Sequence, residues 1–219
     1  MSSTRLGGFK VLKDVVRIPL VFPEGTERFP AGFFKVISDA KINLPYATCV
    51  HDDHGWGLNI LAEAPDGIRL SRLIEENFKK TSTPGPKNVI LSIFPHKKNP
   101  EITGALFEAF GREGVEPEAL ANSPSTISVV LKEEALNRAS SALFGPFSFS
   151  AYRTPEDWKL AQKGKEQLYK EVVASYQEQR PKVYGLEYQD RQELLSITLN
   201  SRNMGDFGVS FKEFSRLGL

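Results

Sequence analysis

Strand and helix signals alternate along residues 88–149 in an order that allows few folds. Residues 89–94 (VILSIF) are β-branched and aromatic, which favours a buried strand. Asn99 followed by Pro100 predicts a helix start, because asparagine caps the first turn and proline gives up no hydrogen bond there. Two further strands, a second amphipathic helix and a closing strand at residues 147–150 (FSFS) follow. This order predicts an α+β, ferredoxin-like fold, with an antiparallel sheet and both helices on one face.

The first third of the chain repeats this pattern. Residues 16–25 (VRIPLVFPEG) contain the same strand and the same Phe-Pro pair, 72 positions earlier (position 22 against position 94). A helix, a hairpin and a second helix come after them in the same order. Internal duplication of one supersecondary unit produces such a period. We therefore expect tandem units at residues 14–80 and 87–150, joined by a polar, proline-containing linker at residues 81–88.

The end of the chain carries part of a third copy. Residues 193–219 align without gaps to residues 89–115, at an offset of 104 positions. The matched pairs include Gly208 with Gly104, Phe211 with Phe107, Phe214 with Phe110, and Arg216 with Arg112. We assign residues 151–219 to a long helix and to a partial third unit. The helix has a capped start at Thr154-Pro155 and is either a connector across the sheet or a dimer contact. Strands are predicted at residues 182–190 and 194–200. Since a half-unit cannot bury its helix alone, we expect it to join another unit or another chain.

The second unit resembles the ACT domain, a small-molecule sensing module, and most of all the ACT domains of aspartokinase regulatory regions. In that family a Gly-Ile/Val helix end precedes an Asp, a Thr-Ser pair and an alternating Ile-Ser strand. Residues 114–131 keep this spacing without gaps, with Glu in place of Asp and Asn in place of Thr. The matching residues are Gly114, Val115, Glu118, Asn122, Ser123, Ile127 and Ser128. In the partial third unit, the Ser, Met-Gly and Gly of the family's loop fall on Ser201, Met204, Gly205 and Gly208.

The resemblance implies a tandem ACT regulatory protein, and the sequence shows no counterpart of the aspartokinase catalytic half. It also implies a small ligand, commonly an amino acid, held between two units. Glu118 would take the ligand's ammonium group, and Asn122 and Ser123 would add hydrogen bonds. The ligand's carboxylate would meet backbone N–H groups of the loop that precedes a helix beginning near Phe207. That loop contains Ser201, Met204, Gly205 and Gly208.

Two classes of function stay open. The first is a sensor that binds an amino acid or a similar metabolite and changes its pairing with itself or with a metabolic enzyme. The second is an ACT-like scaffold that mediates protein–protein interaction or oligomerisation without a ligand. We expect no catalytic residue and no cofactor, because the sequence lacks a Gly-rich phosphate loop ending in Lys and a G-x-S-x-G nucleophile motif. Because four-stranded sheets leave open edges, we expect a homodimer or a wider sheet that joins the units.

The composition of the chain limits the partners and the cellular compartment that we expect for it. A net charge of +1 argues against a dedicated nucleic-acid binder. No apolar run approaches the roughly 20 residues of a membrane span, and the N-terminus lacks the apolar core of a signal peptide. Cys49 is the only cysteine, which indicates a reducing cytoplasm, and its place in a strand favours a small buried group. Residues 51–57 (HDDHGWG) fit a metal site or a solvated turn, and we expect the turn because no further ligand has suitable spacing.

Overall fold

The strands and helices form a two-layer α+β arrangement. A computed structural model describes residues 3–25, 29–52, 55–95, 99–123, 125–162 and 204–217 of the 219-residue chain. The strands are β1 (Thr4–Leu6), β2 (Gly8–Phe22), β3 (Tyr46–Asp52), β4 (Gly55–Glu63), β5 (Lys87–Phe94), β6 (Ala119–Asn122), β7 (Ile127–Lys132) and β8 (Phe147–Phe149). The helices are α1 (Ala31–Asp39), α2 (Ala64–Phe78), α3 (Pro100–Arg112), α4 (Leu136–Ala142), α5 (Pro155–Gln162) and α6 (Met204–Arg216).

The two predicted units share one sheet. It has six strands in the order β3-β4-β2-β5-β7-β6, and every neighbouring pair is antiparallel. The first unit supplies β3, β4 and β2, the second supplies β5, β7 and β6, and the β2–β5 pair joins them. The α+β class and the ferredoxin-like order of the elements are confirmed. The joined sheet also confirms one of the two arrangements that open sheet edges predict, since pairing covers an edge of each unit.

Strand β2 is longer than the sequence predicts and belongs to both units. It begins at Gly8 rather than Val16, and residues 8–12 pair with β5 while its second half pairs with β4. A bulge interrupts the register between Leu12 and Val15. The bulge adds one residue to β2 and none to β5. The alternation of side chains in β2 is therefore shifted by one residue after the bulge, and the apolar side chains of each half face the core of their own unit. The charges of Lys10, Lys13 and Asp14 break the apolar alternation, which hid the first half of the strand.

Strand β8 differs from the prediction in its partner. Residues 147–150 were expected to form the closing strand of the second unit's sheet. The strand forms, but it pairs in parallel with β1, with Thr4 opposite Phe147, in a separate two-stranded sheet. The reason is that the first half of β2 already occupies the position beside β5. The prediction of a closing strand within the unit is therefore wrong.

Each unit has its own hydrophobic core under its pair of helices. In the second unit α3 and α4 pack on the same face of β5 and β7, as the sequence predicts; the contacts include Val89, Leu91, Leu106, Phe110, Val129, Ala139 and Leu143. In the first unit the core contains Ile18, Phe22, Phe33, Ile37, Ile60, Leu70 and Ile74. Burying each such large side chain stabilises the fold by about 1.5–3 kcal/mol. These cores fix where the ends of α3 lie relative to the sheet.

Helix α5 has the capped start that its sequence predicts. The Thr154 hydroxyl accepts from Asp157 N–H at 3.1 Å, and the Asp157 carboxylate accepts from the N–H groups of Arg153 and Thr154 at 3.0 and 3.1 Å. The hydrogen bond from Arg153 N–H, and then that from Thr154 N–H, hold the pKa of Asp157 below its usual value, against the effect of desolvation. The rest of the predicted long helix, and the strands predicted at residues 182–190 and 194–200, lie outside the described residues.

The hairpin between β3 and β4 corrects one expectation. Cys49 is exposed, not buried, because β3 is the edge strand of the sheet. His51 packs against Trp56 with ring centroids 4.5 Å apart. Among the residues that the structure describes, no three His, Cys, Asp or Glu side chains group as they would around a metal ion, and Asp53 and His54 lie outside those residues. None of the helices in the described part of the chain is long and apolar enough to cross a membrane.

Candidate functional site

Helices α3 and α6 pack antiparallel through glycines. A Cβ atom on Gly104 would lie 2.7 Å from the Gly208 carbonyl oxygen, and one on Gly208 would lie 2.6 Å from the Gly104 carbonyl oxygen. Near the other end of the contact, a Cβ atom on Gly111 would lie 2.9 Å from the backbone of Gly205. Only glycine permits two helix backbones to approach this closely. Helix α6 therefore covers α3.

Side chains extend this contact on both sides of the glycines. Phe107 packs against Phe207 and Phe211, with ring centroids 5.5 and 5.7 Å away. Lys212 Nζ donates to Glu108 Oε2 at 2.6 Å. At the start of α3, the Asn99 side-chain oxygen accepts from Glu101 N–H at 2.9 Å and from Ser215 Oγ at 3.0 Å. The predicted Asn99 cap is confirmed, and α6 contributes to it.

Glu118 lies in a polar cluster that connects the two units. Its Oε2 atom accepts from the side-chain amide of Asn88 at 2.8 Å and lies 4.0 Å from the Arg17 guanidinium. Asn88 is fully buried; it also donates to the Leu131 carbonyl at 3.1 Å and accepts from Arg17 N–H at 3.2 Å. Arg17 in turn donates to Asn59 Oδ1 at 2.6 and 3.0 Å. The cluster thus links β4 and β2 of the first unit to β5 and the start of β6 in the second.

A cavity of about 300 Å³ opens beside Glu118, at the C-terminal end of α3. Its lining carries both signs of charge; the residues are Gly114, Glu116, Pro117, Glu118, Lys132, Glu134, Ala135 and Arg138. The Arg138 guanidinium lies over Gly114, where a Cβ atom would be 3.8 Å from it. The first turn of α6 reaches the same end of α3, because Gly205 packs on Gly111. The cavity at this end of α3 therefore brings together two cations and three carboxylates.

Comparison with solved structures identifies the fold. The regulatory subunit of aspartate kinase from Thermus flavus superposes with a TM-score of 0.57 at 18% identity, over 63% of this chain and 95% of that one. The ligand-free regulatory subunit from Thermus thermophilus gives 0.57 at 18% identity, over 65% and 98%. Aspartate kinase from Synechocystis gives 0.56 at 14% identity, over 63% of this chain and 26% of that one. No protein-family model matches the chain, and no curated protein matches it.

This chain has the ACT fold of aspartate kinase regulatory regions. The resemblance in residues 114–131 pointed to the same fold. At these levels of identity the superposition establishes the fold of the ACT units, and the chemistry of the site has to be argued from the residues themselves.

The structure separates the predicted binding residues of the second ACT unit. Glu118 lines the cavity and pairs with Asn88, as described above. Asn122 lies near the N-terminal end of α3, where its side-chain amide donates to Thr103 Oγ1 at 3.1 Å. Ser123 belongs to the turn between β6 and β7, and its hydroxyl donates to the Thr126 carbonyl at 3.1 Å. Of these three residues, Glu118 is the one that lines the cavity.

The predicted loop of the partial third unit is mostly helix. The helix was expected to begin near Phe207 but begins at Met204, so Met204, Gly205 and Gly208 lie within α6. Gly205 and Gly208 face the backbone of α3 rather than leaving room for a carboxylate. A glycine that permits close approach to a ligand and one that permits close packing of helices have the same signature in sequence. Ser201 lies outside the described residues.

Sequence reasoning missed three residues of this region. Arg17 and Asn59 belong to the other unit, and their approach to Glu118 depends on the β2–β5 pair. Arg138 lies in α4 and belongs to no motif that the sequence offers. The one available signal was Asn88, a polar residue immediately before a run of apolar strand residues, which requires a buried partner if the strand includes it.

Proposed function

We propose that this chain is a non-catalytic regulatory module of the ACT type that binds an amino acid or a similar small zwitterion. The observation that carries the proposal is the cavity at the end of α3, which offers cations and carboxylates within one small volume. Its volume of about 300 Å³ is at the lower end of the range for small-ligand pockets. A zwitterion needs both charges, whereas a purely anionic or cationic ligand would be repelled by part of the lining.

The roles of the charged side chains follow from their other contacts. Arg138 forms no ion pair with the residues that the structure describes, so its guanidinium is available for the ligand's carboxylate. Glu118 takes the ligand's ammonium, with Glu116 and Glu134 adding to the negative potential. Arg17, at 4.0 Å, and Asn88 hold the Glu118 carboxylate in place.

Ligand binding would be detected first by stability. A thermal-shift screen of the twenty amino acids and common nucleotides should show a higher melting temperature with one or a few amino acids, because a ligand that binds only the folded state stabilises it. Calorimetry with that amino acid then compares three variants. Glu118→Gln and Arg138→Gln should each weaken binding about tenfold or more, since each removes one charge that pairs with the ligand. Arg72→Gln, on the exposed surface of α2 in the first unit, is the matched control and should bind like the wild type.

The outcomes test the position of the binding site separately from the proposed function. If Glu118→Gln binds as tightly as the wild type, Glu118 is not the partner of the ammonium group. If Arg138→Gln also binds normally, the ligand lies elsewhere in the molecule. If no compound of the screen raises the melting temperature, an amino-acid sensor is refuted and the scaffold is supported.

The scaffold is the second candidate, and one observation favours it. Residues that the sequence assigns to a ligand already contact protein: Glu118 contacts Asn88, Asn122 contacts Thr103, and the glycines of α6 contact α3. Such a module would act by pairing with a second copy or with a metabolic enzyme. Sedimentation with and without the amino acid tests this, because a sensor changes its association with ligand and a scaffold does not.

A further inference from the structure

Helices α3 and α6 are copies of each other that pack about a local twofold axis. Residues separated by 104 positions in the sequence meet across the contact. Gly104 meets Gly208, Phe107 meets Phe211 with ring centroids 5.7 Å apart, and Glu108 meets Lys212 at 2.6 Å. In a twofold contact, when residue i of one copy touches residue j of the other, residue j of the first also touches residue i of the second, and residues near the axis meet their own counterparts. The α3–α6 contact therefore has the geometry of a symmetric pair formed within one chain.

One pair of equivalent positions differs in charge. If the α3 helices of two chains paired in this way, glycine would still face glycine and phenylalanine would face phenylalanine, but Glu108 would face a second Glu108. Two α6 helices would place Lys212 against Lys212. Like charges at the separation seen here repel, and more strongly where water is partly excluded. The Glu108–Lys212 pair is therefore the feature that distinguishes the α3–α6 pair from the two like pairs.

The surroundings of this ion pair separate it from ordinary surface pairs. The side chains of Lys212 and Glu108 are 35% and 27% exposed, whereas those of Lys35 and Asp39 on α1 are 74% and 64% exposed. Glu108 is also held against the crossing point, since a Cβ atom on Gly208 would lie 2.9 Å from Glu108 Cγ. A carboxylate in this position cannot swing far from the opposing side chain. Its charge therefore acts on whichever helix packs there.

We propose that the face of α3 that carries Gly104, Phe107 and Glu108 is a pairing surface that selects helix α6 as its partner by charge. The glycines and phenylalanines supply close approach and apolar contact. Glu108 and Lys212 determine which helix is accepted, because they exclude the pairing of two α3 helices or of two α6 helices. The chain fills this surface with its own α6, which prevents a second copy from docking on α3.

Charge reversal in the full chain tests the proposal. In Glu108→Lys and in Lys212→Glu, α3 and α6 of one chain repel each other, so both variants should melt at a lower temperature than the wild type. The double variant, with both changes, should melt like the wild type. A mixture of the two single variants should associate, because each chain then presents the charge that the other lacks. Cys49, the only cysteine and an exposed one, can carry donor and acceptor dyes that report this association by energy transfer.

The controls make each result decisive. A mixture of Lys35→Glu with Asp39→Lys reverses an exposed ion pair within α1 and should give no more energy transfer than labelled wild-type chains. The transfer in the Glu108→Lys and Lys212→Glu mixture should fall in about 1 M salt, where the screening length is about 3 Å. Energy transfer at the wild-type level in that mixture would overturn the proposal. If the reversals do not fold, Glu108→Gln, Lys212→Gln and their double variant replace them, and additive shifts in melting temperature would overturn it.

Discussion

At the scale of single residues, Asn88 shows how one buried side chain can join two units. It has no exposed surface, and its amide group uses both its acceptor and its donors. The acceptor takes the N–H of Arg17 in the first unit, and the donors reach Glu118 and Leu131 in the second. A backbone N–H and a carboxylate that lose such a partner stay partly buried and unpaired, which costs more than the hydrogen bonds contribute.

Replacement of Asn88 with alanine should therefore lower the free energy of unfolding by about 2–3 kcal/mol, the cost of leaving buried polar groups unpaired. The matched control is Asn77→Ala on α2, because Asn77 is exposed and its amide donates only within its own helix, to Leu73 O at 2.9 Å. That control should cost less than about 0.5 kcal/mol. Urea denaturation measures both values. Equal losses in the two variants would show that the Asn88 contacts contribute nothing.

At the scale of elements, α6 has two glycines at its contact with α3, and they differ in their surroundings. Gly208 packs against backbone, since a Cβ atom there would lie 2.6 Å from the Gly104 oxygen and 2.9 Å from the Glu108 nitrogen. At Gly205 the nearest atom to a Cβ would be the Gly111 Cα, at 4.0 Å, which is an ordinary contact distance. Both glycines lie in α6, so replacement with alanine changes the helix propensity at each position. A difference in stability between the two variants then reports the close approach of the helices.

We expect opposite results for alanine at these two positions. Gly208→Ala should destabilise the protein by about 1–3 kcal/mol, because the helices must move apart to admit the methyl group. Gly205→Ala should be neutral or stabilise it by up to about 1 kcal/mol, because alanine favours a helix and the space is available. Thermal or urea unfolding of the two variants provides the comparison. The close crossing would be refuted if Gly208→Ala were as stable as Gly205→Ala.

At the scale of the whole molecule, strand β2 contributes side chains to the cores of both ACT units. Its second half lies in the core of the first unit, whereas Phe9 in its first half lies in the core of the second. The Phe9 ring stacks on Trp158 of α5 with centroids 4.8 Å apart, and it also contacts Phe149 and Tyr152 at 5.1 and 5.7 Å. The segment that follows the second unit is thereby anchored on a strand that begins near the N-terminus.

Phe9→Ala should cost about 3–5 kcal/mol, as expected for a large aromatic side chain removed from a core. Val21→Ala on the same strand is the control, because Val21 is 65% exposed and should cost less than about 0.5 kcal/mol. The fluorescence of Trp56 reports the first unit and that of Trp158 the second, so two single-tryptophan variants follow each unit separately. Coincident unfolding curves are expected, and Phe9→Ala should shift both. A shift confined to the Trp158 signal would show that β2 does not couple the units.

Local chemistry made several elements predictable. Asn99 and Pro100 place the start of α3 correctly because a cap acts within a few residues, and Thr154 does the same for α5. The apolar periodicities of β5, β7 and α3 describe faces that are buried in the structure. At the candidate site, Glu118 was identified from its motif. Arg138 and Arg17 were not, because their approach to Glu118 depends on how distant segments pair.

The sequence by itself determined the α+β class, the order of strands and helices in residues 88–149 and the start of α3, since apolar periodicity and caps depend on neighbouring residues. Only the tertiary structure decided which segment fills each place. β2 rather than β8 lies beside β5, and the glycines of α6 contact α3 rather than a ligand. The physical reason is that strands and helices compete for the same edges and faces. Which strand or helix occupies an edge or a face depends on contacts between residues that lie far apart in the chain.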